Sequence, residues 1–311
     1  SGDLYVGGVS AAHVISWALG PGATSGISSD GPFAVDGKMR LGGSSLQLSN
    51  ARAEFSGVPI RGSVSWRENK NGKRLAVEIE GREIDTRWGG LNDFQMPAIV
   101  DILSKSVETA SGDNVLPAWL SGDFGDVRLR VRADTLRNGS NELKDVNADI
   151  ALRDNRIEIA TADFKTPSGL SVSMEGSIAE PSKAPKGTLR FVIGAQNQEA
   201  VTTLANALGG EASRGRFTER LSDLAPFRLA GNLALSQRLP NAADIDVDGM
   251  ASGGSVEAQL RLDGGIDHWR EKSADILVRV KDGKAARWVA NWLGGAEGFE
   301  TSNSALNGGS G

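Results

Sequence analysis

Cysteine is absent from this sequence of 311 residues, which also has only one tyrosine, two histidines and 5% aromatic residues. The absence of cysteine excludes thiol catalysis, disulfide frameworks and thiolate metal sites. No apolar run approaches the roughly 18 residues that a membrane-spanning helix needs, and no segment resembles a signal peptide. We therefore expect any membrane anchor to lie in a part of the parent protein outside this chain.

A basic stripe along the sequence is also missing. Lysine and arginine occur singly among acidic residues, and the formal net charge is -5. Proteins that bind a nucleic-acid backbone concentrate basic residues in a stripe or patch. We therefore expect no nucleic-acid partner.

The usual signatures of enzymatic chemistry do not occur. There is no nucleophile elbow or Ser-x-x-Lys pair between a strand and a helix, no phosphate loop and no dinucleotide-binding glycine motif. His13 and His268 have no companion at metal-ligand spacing, and no two carboxylates stand out as a glycosidase pair. The sequence predicts no enzyme, no catalytic residue, no cofactor and no metal.

Two local motifs have both a functional and a structural interpretation. Residues 244–249 (DIDVDG) match the start of a calcium-binding loop, but Ser255 stands twelfth, where a bidentate glutamate belongs. Because Ile245 and Val247 alternate with the acidic residues, we favour a strand with one acidic face. Residues 138–140 (NGS) fit a glycosylation sequon, but a hairpin turn is the interpretation we favour.

Glycine is abundant, at 40 residues, yet 39% of the residues are apolar and many alternate with polar ones, which indicates a folded β-rich protein. Strands with this alternation are predicted at residues 4–6, 39–48, 60–66, 75–79, 127–131, 150–152, 157–159, 170–178, 189–193, 229–235, 245–247, 256–262 and 276–280. Three hairpins are predicted: 60–66 with 75–79 through Asn71-Gly72, 170–178 with 189–193 through 181–187, and 256–262 with 276–280 through Gly264-Gly265.

Short amphipathic helices, each closed by a glycine, are predicted at residues 11–20, 97–112, 199–209 and 285–294. The third is expected to bury Val201, Leu204, Ala205 and Leu208 and to expose Thr202, Thr203 and Asn206. The closing glycines lie at intervals of 92, 97 and 85 residues, which indicates a tandem unit of five or six strands and one helix. The predicted divisions are the end of a truncated repeat (1–20), three repeat units (21–112, 113–210 and 211–295) and a Gly/Ser-rich tail (296–311).

In fold class, the sequence predicts a mainly β protein: an elongated antiparallel sheet array of tandem repeats of about 90 residues, with a short helix closing each repeat. The order of strands, hairpin and helix resembles the AsmA-like group of bacterial envelope proteins, relatives of the TamB-type proteins. The segments that carry the resemblance are LQLSNARAEFSGVPIRGSVSW (46–66), NELKDVNADIALRDNRIEIATADFKTPSGLSVSMEGSI (141–178) and KGTLRFVIGAQNQ (186–198). We expect the intact protein to be longer than this chain.

The resemblance implies a periplasmic protein, anchored in the inner membrane by a segment absent here, that conducts phospholipid along a β-groove toward the outer membrane. Phospholipid, the membrane and other envelope proteins would then be its partners. Candidate groove-lining residues are Val64, Trp66, Val77, Ile79, Val172, Met174, Phe191, Ile193, Leu260, Leu262, Val278 and Val280. The sequence alone leaves open whether these residues line an open groove or fill an ordinary closed core.

Two other functions compete with lipid conduction. An envelope scaffold would assist outer-membrane biogenesis by offering β-strand edges to unfinished sheets. A surface adhesin or carbohydrate-binding array would show aromatic platforms or calcium loops, which this sequence hardly supplies.

Overall fold

The computed structural model describes residues 1–10, 32–70, 72–85, 124–138, 141–180, 185–208, 224–236, 242–262 and 274–281. Within these ranges the chain forms one sheet and one helix. The strands are β1 (Gly2–Gly8), β2 (Phe33–Gly42), β3 (Ser45–Phe55), β4 (Val58–Asn69), β5 (Gly72–Asp85), β6 (Phe124–Asn138), β7 (Asn141–Arg153), β8 (Arg156–Lys165), β9 (Leu170–Ala179), β10 (Lys186–Ala195), β11 (Phe227–Ser236), β12 (Ala242–Ala251), β13 (Gly254–Leu262) and β14 (Ala274–Lys281), and the helix α1 is Gln198–Leu208.

The fourteen strands lie side by side in the order of the sequence, and the sheet does not close on itself. The predicted mainly β class is confirmed, and the predicted antiparallel pairing holds except at one place. Strands β5 and β6 pair in parallel, with Leu75 opposite Val127 and Ile79 opposite Val131. A parallel pair needs a long connection between its strands, and residues 86–123 separate these two.

Every predicted strand falls within an observed one, except that residues 39–48 form two strands. The chain turns at Gly43-Ser44, so Leu41 of β2 lies opposite Leu46 of β3. The apolar positions change there from odd to even numbers, as they must when a two-residue turn separates two strands that share one buried face.

All three predicted hairpins are confirmed: β4 pairs with β5, β9 with β10 and β13 with β14, each antiparallel. The motif at 138–140 also stands at a hairpin, since Asn138 lies opposite Asn141. Three further hairpins turn through two residues with positive φ, at 56–57, 154–155 and 252–253. That geometry is the type I′ turn, whose twist matches the twist of the flanking strands.

Five or six strands per unit were predicted; five described strands lie in residues 124–195, as predicted, and four each in 33–85 and 227–281. Among the four predicted helices, only the third lies within the described residues. The others, at 11–20, 97–112 and 285–294, lie outside them, as do His13 and His268. The tandem repeat and its helix therefore stay predictions.

Helix α1 is capped by Asn197, whose side-chain oxygen accepts a hydrogen bond from the backbone N–H of Ala200 at 2.9 Å. Ala200 and Val201 are completely buried against the ends of β9 to β12. The predicted burial of Val201 is confirmed. The expectation that Thr203 faces water is wrong, because its hydroxyl lies 2.9 Å from the hydroxyl of Ser168 in the turn between β8 and β9.

A directed chain of hydroxyl groups holds α1 to this turn. Thr203 donates to the carbonyl of Glu199, so Ser168 must donate to Thr203. Ser168 then accepts from Thr166, whose oxygen in turn accepts from the backbone N–H of Leu170. Thr166 and Ser168 are both buried, so each depends on these partners in place of water.

Removal of the central hydroxyl should loosen the helix. We expect Ser168→Ala to lower the free energy of unfolding by about 1–3 kcal/mol, because it removes one of the two hydrogen-bond partners of both Thr166 and Thr203. Urea unfolding followed by circular dichroism measures the change. Thr202→Ala is the matched control, since among the described residues the Thr202 hydroxyl donates to the carbonyl of Gln198 in the same helix and contacts no other element. Equal losses in both variants would contradict the hydroxyl chain.

Candidate functional site

All twelve candidate groove residues lie on one face of the sheet, which we call the apolar face. Cross-strand pairs share a face, and the pairs Val64 with Val77 and Met174 with Phe191 show the pattern. The same ladder continues through β11 to β14, where Val278 lies opposite Ala258. The structure thus brings together on one surface side chains that are more than 200 positions apart in the sequence.

The apolar face is partly exposed. Of the twelve candidates only Leu262 is fully buried, and the other eleven are partly buried. Three clusters of buried residues form on the sheet, one around Ile178 and Leu189, one beneath α1 around Leu170, and one around Ile84. These clusters give the face a core of its own, because neighbouring side chains cover each other.

A row with one residue from each strand crosses the middle of the apolar face, perpendicular to the strands. We call it the central row. Half of its residues are glycine or alanine. In strand order it comprises Leu4, Gly37, Ala51, Gly62, Ile79, Val131, Ala148, Ala162, Met174, Phe191, Gly231, Val247, Ala258 and Val278.

Larger side chains flank the central row on both sides. Toward the end of the sheet away from α1 the next row consists of Met39, Leu48, Val64, Val77, Leu129, Ile150, Ile159, Gly176, Leu189, Leu233, Ile245 and Leu260. On the side of α1 the flanking row includes Phe164, Val172, Ile193, Leu229, Val256 and Val280. Because half of its residues are glycine or alanine, the central row is lower on average than its two flanking rows; we call it the trough, and it is about 60 Å long at the usual strand spacing.

Gly231 is a position in this trough where a side chain does not fit. A Cβ atom there would lie 2.4 Å from the ring of Phe191 and 2.8 Å from the carbonyl oxygen of Asp246. The ring of Phe191 therefore lies over Gly231. Here glycine is required by close packing across the strands.

We expect Gly231→Ala to lower the free energy of unfolding by about 1–3 kcal/mol, because the added methyl group overpacks the trough. Chemical unfolding measures this loss. Combination with Phe191→Leu should restore part of the stability, while the contact with Asp246 keeps the rescue incomplete. A double variant no more stable than the sum of the single changes would contradict the assignment.

The opposite face of the sheet is polar and carries ion pairs. Asp149 on β7 accepts hydrogen bonds from Arg128 at 2.9 and 2.8 Å and from Arg130 at 3.1 and 2.8 Å. These two guanidinium groups, Arg128 first, lower the pKa of Asp149 to about 2 against the opposing effect of burial. Hydrogen bonds from Ser173, and secondarily from Thr161, likewise lower the pKa of Asp163.

The ion pair of Asp149 predicts a pH-dependent contribution to stability. Because the folded-state pKa is depressed, the contribution is present above the ordinary carboxyl pKa of about 4 and disappears as the pH falls toward 2. Asp149→Asn should cost about 1–3 kcal/mol at neutral pH. The difference from wild type should shrink between pH 4 and 2, measured by urea unfolding at each pH.

Asp145→Asn is the matched control, because within the described ranges Asp145 pairs with Lys165 alone, at 2.9 Å, and both side chains are largely exposed. We expect its effect to be below about 1 kcal/mol. A loss in Asp149→Asn that does not vary with pH would contradict the pKa assignment.

The acidic motif at 244–249 is part of a continuous strand and forms no calcium loop. Asp244 pairs with Arg261 at 2.8 Å, and Ile245 and Val247 belong to the apolar face, as the favoured interpretation predicted. Among the described residues no group of three His, Asp or Glu side chains could hold a metal ion. No helix in the described part of the chain is long and apolar enough to cross a membrane.

Comparisons with protein-family profiles, curated proteins and solved structures give no match to this chain. The resemblance to the AsmA-like group therefore stays a prediction. Sequence alternation found the apolar face but missed the central row, since that row depends on the register between strands. Its signal in the sequence is the placement of small residues, such as Gly62, Gly231 and Ala258, at apolar positions of their strands.

Proposed function

We propose that this chain is a non-enzymatic lipid-binding and lipid-conducting segment of an AsmA-like envelope protein, and that acyl chains lie along the central row. The observation that carries the proposal is the apolar face, which continues across all fourteen strands and stays partly exposed. A closed core would bury its large apolar residues fully. Phe191 and Val278, in contrast, keep part of their surface accessible.

Acyl chains match this surface in shape and in energy. Each methylene group removed from water contributes about 0.8 kcal/mol, so ten of them contribute about 8 kcal/mol. The trough runs perpendicular to the strands, and it passes from one strand to the next without a charged residue in the central row. A chain lying in the trough can therefore slide along the array while its headgroup stays at the solvent edge.

The proposal implies an occupied groove in the native setting. After purification from a bacterial envelope fraction, we expect wild-type protein to carry phospholipid, measured by lipid extraction and mass spectrometry. Phe191→Asp with Val278→Asp should lose at least nine tenths of it, because a carboxylate in the trough is strongly disfavoured beside acyl chains.

The matched control carries the same changes one residue away on the polar face, Val192→Asp with Leu277→Asp. Leu277 is 45% exposed and its side chain belongs to the face opposite Val278. This control should keep its lipid. Circular dichroism and urea unfolding must show that both variants fold. Absence of lipid from the wild type, or equal loss in both variants, would argue against the groove.

The open ends of the sheet favour one alternative function, an envelope scaffold that pairs with other strands. Within the described residues β1 and β14 each have one neighbouring strand, so each offers backbone groups to a further strand. Proline substitutions at outward-facing backbone positions of these strands would impair that function. The polar substitutions in the trough would leave it intact, which separates the two functions.

A further inference from the structure

The polar face carries a concentration of arginine residues at the end of the strands away from α1. One residue from each of five consecutive strands stands there in register, and we call this set the arginine edge. It consists of Arg67 on β4, Arg74 on β5, Asp126 on β6, Arg153 on β7 and Arg156 on β8. At the usual strand spacing of about 4.8 Å the five residues span roughly 19 Å.

The pairing at this edge is electrostatically unfavourable in itself. Arg67 lies directly opposite Arg74, and Arg153 directly opposite Arg156. Like charges opposite each other on neighbouring strands destabilise a sheet. Asp126 is shared between two of them, with its oxygens 3.6 Å from Arg74 and 3.1 Å from Arg153, so it compensates only part of the charge.

A depression of about 480 Å³ opens beside this edge. Its charged lining is five arginines and a single carboxylate: Arg40, Arg67, Arg74, Arg128, Arg153 and Asp126. Arg74 and Arg153 are 59% and 45% exposed, so their guanidinium groups remain accessible to a ligand. In a chain of net charge -5, this is a local excess of positive charge.

A second depression on the same face shows that such an excess is not general. It lies over β1 to β5 and measures about 1030 Å³. Its charged lining mixes both signs, with Asp3, Asp36, Glu78 and Glu80 against Lys38, Arg52 and Arg61. The charges there can compensate one another, whereas beside the arginine edge five arginines face two carboxylates among the described residues, Asp126 and Asp149, the latter paired with Arg128.

We propose that the depression beside the arginine edge binds a phosphate group. Guanidinium groups bind phosphate oxygens through two parallel hydrogen bonds, and neighbouring strands hold Arg67 and Arg74 close enough to contact one phosphate together. Phosphate binding also removes the repulsion between these two arginines. The phosphate can belong to a phospholipid headgroup or to a soluble phosphate compound, and the site has the same chemistry for both.

The first arm of the test uses inorganic phosphate. Arginine Nε–Hε resonances of the full chain, followed by NMR during titration with phosphate, should shift and saturate. In Arg67→Gln with Arg74→Gln we expect the affinity to fall at least tenfold. Arg67→Lys with Arg74→Lys should bind with intermediate affinity, because it keeps the charge and loses the forked geometry.

Arg190→Gln is the matched control, since Arg190 also pairs on the polar face, with Glu175 at 3.3 Å, but lies outside the depression. It should bind phosphate as wild type does. The free energy of unfolding in urea separates phosphate binding from a structural role, because loss of a structural contact would lower it. The double glutamine variant should be at least as stable as wild type, because it relieves like-charge repulsion. Unchanged phosphate affinity in that variant, or an absence of saturable shifts in wild type, would overturn the proposal.

The second arm identifies the source of the phosphate. Sedimentation with phosphatidylcholine vesicles, with and without phosphatidylglycerol, should show arginine-dependent binding to the anionic vesicles if the source is a headgroup. Phosphate binding without vesicle binding supports the site and assigns it to a soluble ligand. The amount of lipid that co-purifies with the protein should be the same in the Arg67/Arg74 variants and in wild type. The phosphate site and the lipid groove can therefore be disproved independently of each other.

Discussion

Fourteen strands can share one apolar face only if each pairs with its neighbours in a register that keeps apolar positions opposite one another. A slip of one residue would move every side chain of a strand to the other face. The structure keeps the apolar side chains on the same face even where a strand is irregular. In β3 the apolar positions change from Leu46 and Leu48 to Ala51 and Ala53, and a bulge with positive φ at Asn50 absorbs the change. In β7 the alternation of apolar and polar residues shifts by one position between Leu143 and Val146, and Asp145 has a positive φ there, like Asn50 in β3.

Sequence reasoning succeeded where the information is local. Alternation located every described strand, and turn residues such as Asn71-Gly72 predicted hairpins, because both signals act within a few residues. The twelve candidates lie on one face for the same reason, because the length of a hairpin turn determines which residues of its two strands share a face. The phase change between Leu41 and Leu46 was a local signal too, and it would have placed the turn at Gly43-Ser44.

What sequence reasoning missed depends on contacts between distant segments. The parallel pairing joins β5 and β6, which residues 86–123 separate in the sequence, so no pattern within a few residues predicts it. The central row and the arginine edge both arise because the register aligns single residues from separate strands, such as Gly62 with Ile79 and Arg153 with Arg156. Arginines dispersed singly along the chain thus become neighbours in the sheet. Helical periodicity predicted that Thr203 faces solvent. It could not show that the turn containing Ser168 lies against this side of the helix.

The single parallel pair also determines how copies of this sheet can be joined. With twelve antiparallel pairs and one parallel pair, β1 and β14 run in the same direction. Extension of the array by translation, which is the operation that keeps one apolar face continuous, therefore places β14 of one copy beside β1 of the next in parallel. A parallel ladder is slightly less stable per residue than an antiparallel one, and it has no hairpin to set its register. The inversion at β5 and β6 thus works against uncontrolled end-to-end polymerisation of a sheet in which, within the described residues, β1 and β14 each have one neighbouring strand.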